Sequence, residues 1–233
     1  NNGVLEEKPV SDYATFQIYK WLFLLVDAYL RTHPVGRLVA LETAFRMSFA
    51  GDEKATIRKP DFFVVLNDNP TTYGDKENSF KGIADLCVEA VSDTSRKNRE
   101  RDTKTKRGEY EIAGVREYYM LDDSGKSMAF LRRNAAGVFA PITPEDGEVI
   151  RSAVLPGLQF RLADRYRQPS AVAMSEDPLY RHFVLPELRA ARVRAEQERQ
   201  RAEQERQQAE QARARAERLA AKLRALGIDD EGE

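Results

Sequence analysis

The chain has 233 residues, long enough for one substantial domain and an appendage. Charged residues make up 32% of it yet leave a net charge of only -1, so there is no global argument for nucleic acid or membrane and any basic surface must be local. The single cysteine, Cys87, excludes an intrachain disulfide framework, and the longest apolar run, Trp21 to Leu30, is too short for a membrane span and contains Asp27. With no signal pattern at its start, the chain reads as a soluble, cytoplasmic protein without membrane contact; its Asn1-Asn2-Gly3 opening reads as a chain missing its first residues.

Residues 11–31 are expected to form a helix capped by Ser11 or Asp12. Phe16, Tyr19, Phe23, Val26 and Leu30 mark its buried face, and His33-Pro34 and Gly36 end it. His33 reads as a turn residue. Residues 37–49 are expected as a strand, 51–52 as a turn, 56–66 as the next strand and 67–82 as a polar loop. Residues 83–91 form a strand with nearly continuous apolar character, which implies burial on both faces. A helix over 95–113 follows, capped by Ser92 or Thr94 and ended by Gly114. Strands are expected at 117–121, 127–133, 138–142 and 148–155, with hairpin turns at 122–125 and 134–137. Strand, helix, strand around Glu89 and Tyr118 implies a parallel crossover, and the hairpins imply antiparallel neighbours, so the sheet is mixed α/β.

Residues 167–186, with three prolines, read as a linker. From 187 to 226 the chain lacks glycine and proline, and RAEQERQ at 194–200 repeats at 201–207. The first heptads place Glu198 and Glu205 where a coiled coil wants Leu or Ile; only Ala212, Ala216, Leu219, Leu223 and Leu226 make an apolar seam. A solvated helix laced by pairs such as Arg206–Glu210 is the first reading, and a weak dimerising coiled coil through the last turns the second. Residues 227–233 form an acidic tail.

Chemistry concentrates between Lys59 and Tyr119. Asp61 opens one apolar run (PDFFVVL) and Glu89 sits inside another (DLCVEAV), where a carboxylate is costly to bury unless it is paired or binds metal. Phosphodiester hydrolysis needs a divalent cation on hard oxygen ligands and a nearby positive charge for the water or the developing phosphate charge. Asp61 and Glu89 can converge if their strands are neighbours. Lys97, Lys104 and Lys106 compete for the cationic role; Asp102 and Tyr110 share a helix face with Lys106 at four-residue spacing, and an Asp102–Lys106 ion pair is the purely structural alternative. Arg96, Lys97, Arg99, Arg101, Lys104 and Arg107 form a basic run able to contact phosphates, diluted by Glu100, Asp102 and Glu109.

The ordered set PD–apolar run, VEAVS, D-x-x-x-K-x-x-x-Y, GVREYY resembles the Uma family of putative restriction endonucleases, in the PD-(D/E)XK nuclease superfamily, over roughly residues 1–166. The resemblance implies a restriction-endonuclease-like mixed sheet flanked by helices, followed here by the long charged helix. It implies a nuclease dependent on magnesium, with manganese as a substitute, and DNA as substrate. Asp61 and Glu89 match the metal-binding acids, the Ala90 carbonyl is a further ligand by analogy, and Lys106 matches a lysine moved from the parent position, which Val91 occupies. Asp102 and Tyr110 match as supporting residues. Family members also carry a glutamate before the opening strand and a histidine near Thr15, both absent here. A homodimer is expected by the same analogy, partly through the C-terminal helix. The alternative function is a catalytically weak nucleic-acid-binding or assembly module, oligomerised through that helix.

Overall fold

A computed structural model describes residues 12–40, 43–49, 55–91 and 100–225, with only the backbone of Asp102. The chain divides into two compact units, residues 1–185 and 186–233.

Helix α1 spans Tyr13–Thr32. Asp12 caps it, accepting from the Thr15 N–H at 2.8 Å and the Thr15 hydroxyl at 2.9 Å. The Thr15 N–H bond holds the Asp12 carboxyl below its ordinary value of 3.8. A depressed carboxyl stabilises the fold above that ordinary value and ceases to do so as pH falls through the lower folded value. Asp12→Ala is therefore expected to lower stability by about 1 kcal/mol at neutral pH. In urea unfolding the gap between variant and wild type should close in strong acid; a gap independent of pH would contradict the cap's ionic character.

The main sheet has strand order β1 (Gly36–Val39), β4 (Phe62–Leu66), β6 (Leu86–Ala90), β7 (Glu117–Leu121), β8 (Ala129–Arg133), β9 (Phe139–Pro141). Within this sheet the β6–β7 pair is the parallel one, as the crossover implied, and the other described pairs are antiparallel. A small sheet has order β3 (Thr56–Arg58), β2 (Ala44–Met47), β5 (Ser79–Phe80), and β10 (Val149–Arg151) pairs with β11 (Gln159–Arg161).

The two long strands expected at 37–49 and 56–66 are each broken in two. β1 pairs with β4 in the main sheet, whereas β2 pairs with β3 in the small one, and the register slips by one residue between the halves. Pro60 stands at the break; it has no N–H to give a ladder, so the chain changes sheets there. The loop expected at 67–82 contributes the short strand β5. The turn placed at 51–52 lies outside the described residues.

Alternate residues of the central strands face two cores. Phe62, Val64, Leu66, Leu86, Val88 and Tyr119 pack with α1, whereas Phe63, Val65, Cys87 and Tyr118 pack with Phe45, Met47 and Tyr110. β4, β6 and β7 are thus covered on both sides, which is why their sequences are apolar without alternation. On α1 the buried residues are Thr15, Ile18, Trp21, Leu22, Leu25, Val26, Tyr29 and Leu30; Val26 and Leu30 of the expected stripe are among them, whereas its first half turns away from the core, with Phe16 45% exposed. α1 is apolar over more than one face, so spacing alone could not choose between the stripes.

After a π-helical turn at Arg101–Lys106, helix α2 runs Arg107–Ala113. Gly114 ends it at φ 100°, a left-handed conformation that glycine adopts without Cβ strain. The cap proposed at Ser92 or Thr94 lies outside the described residues. The stretch 167–186, expected as a linker, carries helix α4 (Ala171–Glu176), after the short α3 (Asp164–Arg167), and buries Met174, Tyr180, Phe183 and Val184 in the α1 core. Arg161 and Asp177 close this segment through two hydrogen bonds of 2.7 and 3.0 Å.

The second unit is helix α5, Pro186–Ala225, with no buried residue. At 1.5 Å per residue it extends roughly 60 Å. Arg206 and Glu210 approach to 3.4 Å. Leu219 and Leu223 of the expected seam are 52% and 45% exposed; Leu226 lies outside the described residues.

Candidate active site

The site forms where β4 begins and β6 ends. These strands are antiparallel, with Phe62 opposite Val88, so one further step brings Asp61 opposite Glu89. Asp61 Oδ2 accepts the Ala90 N–H at 2.7 Å, which fixes its carboxylate beside the end of β6. Glu89 follows the alternation of Cys87 onto the face that α2 covers.

Glu89 is 2% exposed. Its Oε2 takes a hydrogen bond from Lys106 Nζ at 2.8 Å and its Oε1 one from the Tyr110 hydroxyl at 2.8 Å. This distribution answers the cost that a carboxylate in an apolar strand raises: both oxygens carry a donor, one of them cationic. Burial, and then the neighbouring Glu89, push the Tyr110 phenol well above its ordinary range, so it remains a donor at any working pH. Cys87, fully buried two residues before Glu89 on the same face, is likewise held as the thiol, chiefly by burial.

Of the three competing lysines, Lys106 reaches Glu89. Lys104 is exposed and lies 3.7 Å from Glu100. Lys97 and Arg99 lie outside the described residues, as does Arg96. A π turn holds more residues than an α turn, and the one ending at Lys106 sets the phase in which Lys106 and Tyr110 both meet Glu89. Val91, where the parent pattern has its lysine, is 2% exposed and packs with Tyr110 and Cys87. In the rest of the basic run, Arg101 is half-buried, and Arg107 Nη2 donates to the Phe139 carbonyl at 3.4 Å.

Arg58 is not among the residues the sequence singles out, and Glu109 enters there only as an acid diluting the basic run. Arg58, 4% exposed, grips Glu109 through Nε and Nη2 at 2.5 and 2.7 Å. Glu109 lies between Lys106 and Tyr110, and Phe45 of β2 stacks on Tyr110 with ring centroids 5.7 Å apart. The small sheet therefore holds the helix that presents both donors to Glu89. The sequence signal was present but weak: an arginine alternating with apolar residues in a strand, TIR, ahead of the Pro60 break.

Among the described residues no group of three or more His, Cys, Asp and Glu side chains could hold a metal ion. Two carboxylates with a peptide carbonyl are nevertheless the hard-oxygen set that suits magnesium, which keeps several waters and takes substrate phosphate as further ligands. Asp61, Glu89 and Ala90 provide donors of that kind. A cleft of about 490 Å³ at the other end of the sheet, lined by Asn69, Lys81, Asp85 and Arg116 among others, contains none of these residues.

A family model described as "Putative restriction endonuclease", Uma2, matches residues 1–163. The chain belongs to the Uma2 family. A solved structure of a putative nuclease of family DUF820 from Anabaena variabilis superposes with a TM-score of 0.52 at 15% identity, covering 71% of this chain and 87% of that one. At that identity the likeness shows the fold, a restriction-endonuclease-like mixed sheet flanked by helices. No curated protein matches the chain. The Uma2 match ends before α4, although the compact unit continues to Leu185. No helix among the described residues is long and apolar enough to cross a membrane.

Proposed function

We propose that this Uma2 chain is a magnesium-dependent endonuclease that hydrolyses DNA phosphodiester bonds. The observation that carries the reading is the meeting of Lys106 and Tyr110 on the buried Glu89 carboxylate, one residue from the peptide that binds Asp61. Asp61, Glu89 and the Ala90 carbonyl hold the cation. Once bound, that cation polarises the phosphoryl group and acidifies the attacking water. Tyr110 keeps Glu89 in one orientation, and Lys106 supplies the positive charge that serves the water or the scissile phosphate. Arg101, Lys104 and Arg107, with Lys97 and Arg99, contact backbone phosphates, which positions the nucleic acid without reading its sequence. Asp102 is carried over with Tyr110 only as a supporting match of the family pattern.

Plasmid and single-stranded DNA incubated with magnesium test this directly. Wild type is expected to cut, Asp61→Ala to cut no more than the chelated control, and Lys106→Ala to be slower by roughly 100-fold. Equal cutting by all three would remove the assigned site. No cutting by wild type, with retained DNA binding, would favour the assembly-module reading.

A further inference from the structure

Helix α1 carries an aromatic ladder that the fold buries only at one end. Tyr13, Phe16, Tyr19 and Phe23 recur at spacings that place them on one side of the helix, and successive ring centroids are 6.2, 6.2 and 6.0 Å apart. Phe16, Tyr19 and Phe23 belong to the stripe whose spacing predicts core, and the rest of that stripe, Val26 and Leu30, is buried. By contrast, Tyr13 is 75% and Phe16 45% exposed, and exposure falls along the ladder toward Tyr19 and Phe23, which pack on Phe62 at 5.7 and 5.5 Å. Phe62 is the residue after Asp61, and the Tyr19 hydroxyl donates to the Asp61 carbonyl at 3.4 Å.

The ladder thus runs from open solvent to the backbone of a proposed metal-binding acid. A second contact places the first turn of α1 at the same end of the sheet. The Asp123 N–H donates to Thr15 Oγ1 at 3.1 Å, just beyond Leu121, which pairs with Ala90. Exposed Lys20 lies four residues from Phe16 on the rim of the stripe.

We propose that Tyr13, Phe16 and Tyr19 form a stacking platform for unpaired nucleobases, holding a single-stranded segment of nucleic acid at the end of the sheet where Asp61 and Glu89 lie. Every base has a π-face, so such rings bind strands without sequence preference, while cations along the edge take the phosphates. Exposed rings have no reason to lead to an acidic site if their purpose is packing, and a row of flat rings does not read the grooves of a duplex. The inference rests on the nuclease reading and sharpens its substrate to DNA with unpaired bases at the point of cleavage.

The test measures binding without catalysis. Metal-free protein in chelator is titrated into fluorescein-labelled oligothymidine, an abasic sugar-phosphate strand of equal length, and a duplex, with anisotropy as the readout. Wild type is expected to bind oligothymidine at least about tenfold more tightly than the abasic strand, from a stacking contribution per base of roughly 1–3 kcal/mol. The double variant Tyr13→Ala/Phe16→Ala should lose that preference and keep its abasic binding, and Tyr13→Trp/Phe16→Trp should restore it. Both residues are exposed, so the alanine variant is expected to fold, as circular dichroism would verify.

Failure of wild type to bind oligothymidine, or to prefer it over the abasic strand, would overturn the platform. So would unchanged binding by the double variant. A dimer in sedimentation velocity that the double variant dissociates, with base preference intact, would assign the face to contact between copies instead. Cleavage in magnesium is scored separately. Ring-dependent base binding without cutting would sink the nuclease reading and leave the platform standing, whereas cutting with ring-independent binding would sink the platform alone.

Discussion

Lys106→Met is expected to disable and destabilise the protein together. The substitution keeps most of the side chain's length and removes the ammonium from Glu89 Oε2, while Tyr110 still donates to Oε1. Breaking a buried pair by removing one partner leaves an uncompensated charge and costs about 3–5 kcal/mol. Cleavage should fall by roughly 100-fold through loss of charge stabilisation. The two effects are separable by adding magnesium during thermal unfolding. A cation that binds the folded protein raises its stability by mass action, and Glu89 without Lys106 has more need of one. The melting temperature of the variant is therefore expected to rise more with magnesium than that of wild type. Lys106→Arg should keep much of the stability and less of the activity, because the planar guanidinium does not occupy the place of an ammonium. A methionine variant as stable as wild type, with the same response to magnesium, would show that Lys106 and Glu89 are not energetically coupled.

Glu117→Ala is expected to have the largest effect on stability alone. Glu117 is fully buried and accepts four hydrogen bonds, from the Tyr119 and Ser152 hydroxyls at 2.7 Å each and from Arg132 Nε and the Ala153 N–H at 2.8 Å each. It joins β7 to β8 and to the segment after β10, so truncation unties three parts of the fold and strands their donors. Loss of about 3–5 kcal/mol is expected, a large share of the roughly 5–15 kcal/mol that holds a domain together. Glu117→Gln, which keeps the shape but turns an NH₂ toward donors, should fall between. Glu117 pairs with Leu86 at the start of β6, whereas Glu89 stands near its end. Folded Glu117→Gln should therefore cut at the rate of wild type. Urea midpoints and initial cleavage rates check both statements; a loss below about 1 kcal/mol for Glu117→Ala would contradict the network's weight.

Glu89 and Glu117 raise the same signal, a carboxylate in an otherwise apolar strand. In IADLCVEAV that signal led to the candidate site; in REYYML it passed as the start of a strand. What separates them is their surroundings. Glu117 is saturated by four donors from its own strand, from β8 and from the segment after β10, and Glu89 meets a lysine and a tyrosine at the end where Asp61 also lies. Lys106 and Tyr110 lie 17 and 21 residues from Glu89, and Arg132 and Ser152 lie 15 and 35 from Glu117, separations at which local pattern carries no information.

The sequence by itself determined the mixed α/β class, the doubly buried central strands, the parallel crossover, the long charged helix and the kinds of residue at the site, because period, turn chemistry and the cost of burying charge are local properties. It also carried the family, through the spacing of Asp61, Glu89, Lys106 and Tyr110. Only the tertiary structure decided which stripe of α1 is core, that Pro60 sends one hairpin into two sheets, that the chain from 167 to 185 closes the α1 core, and that Lys106 rather than Lys104 reaches Glu89. Each of these is a choice between locally equivalent alternatives. Burial against a distant partner makes the choice, and for Lys106 the π turn and the grip of Arg58 on Glu109 set the helix that brings it there.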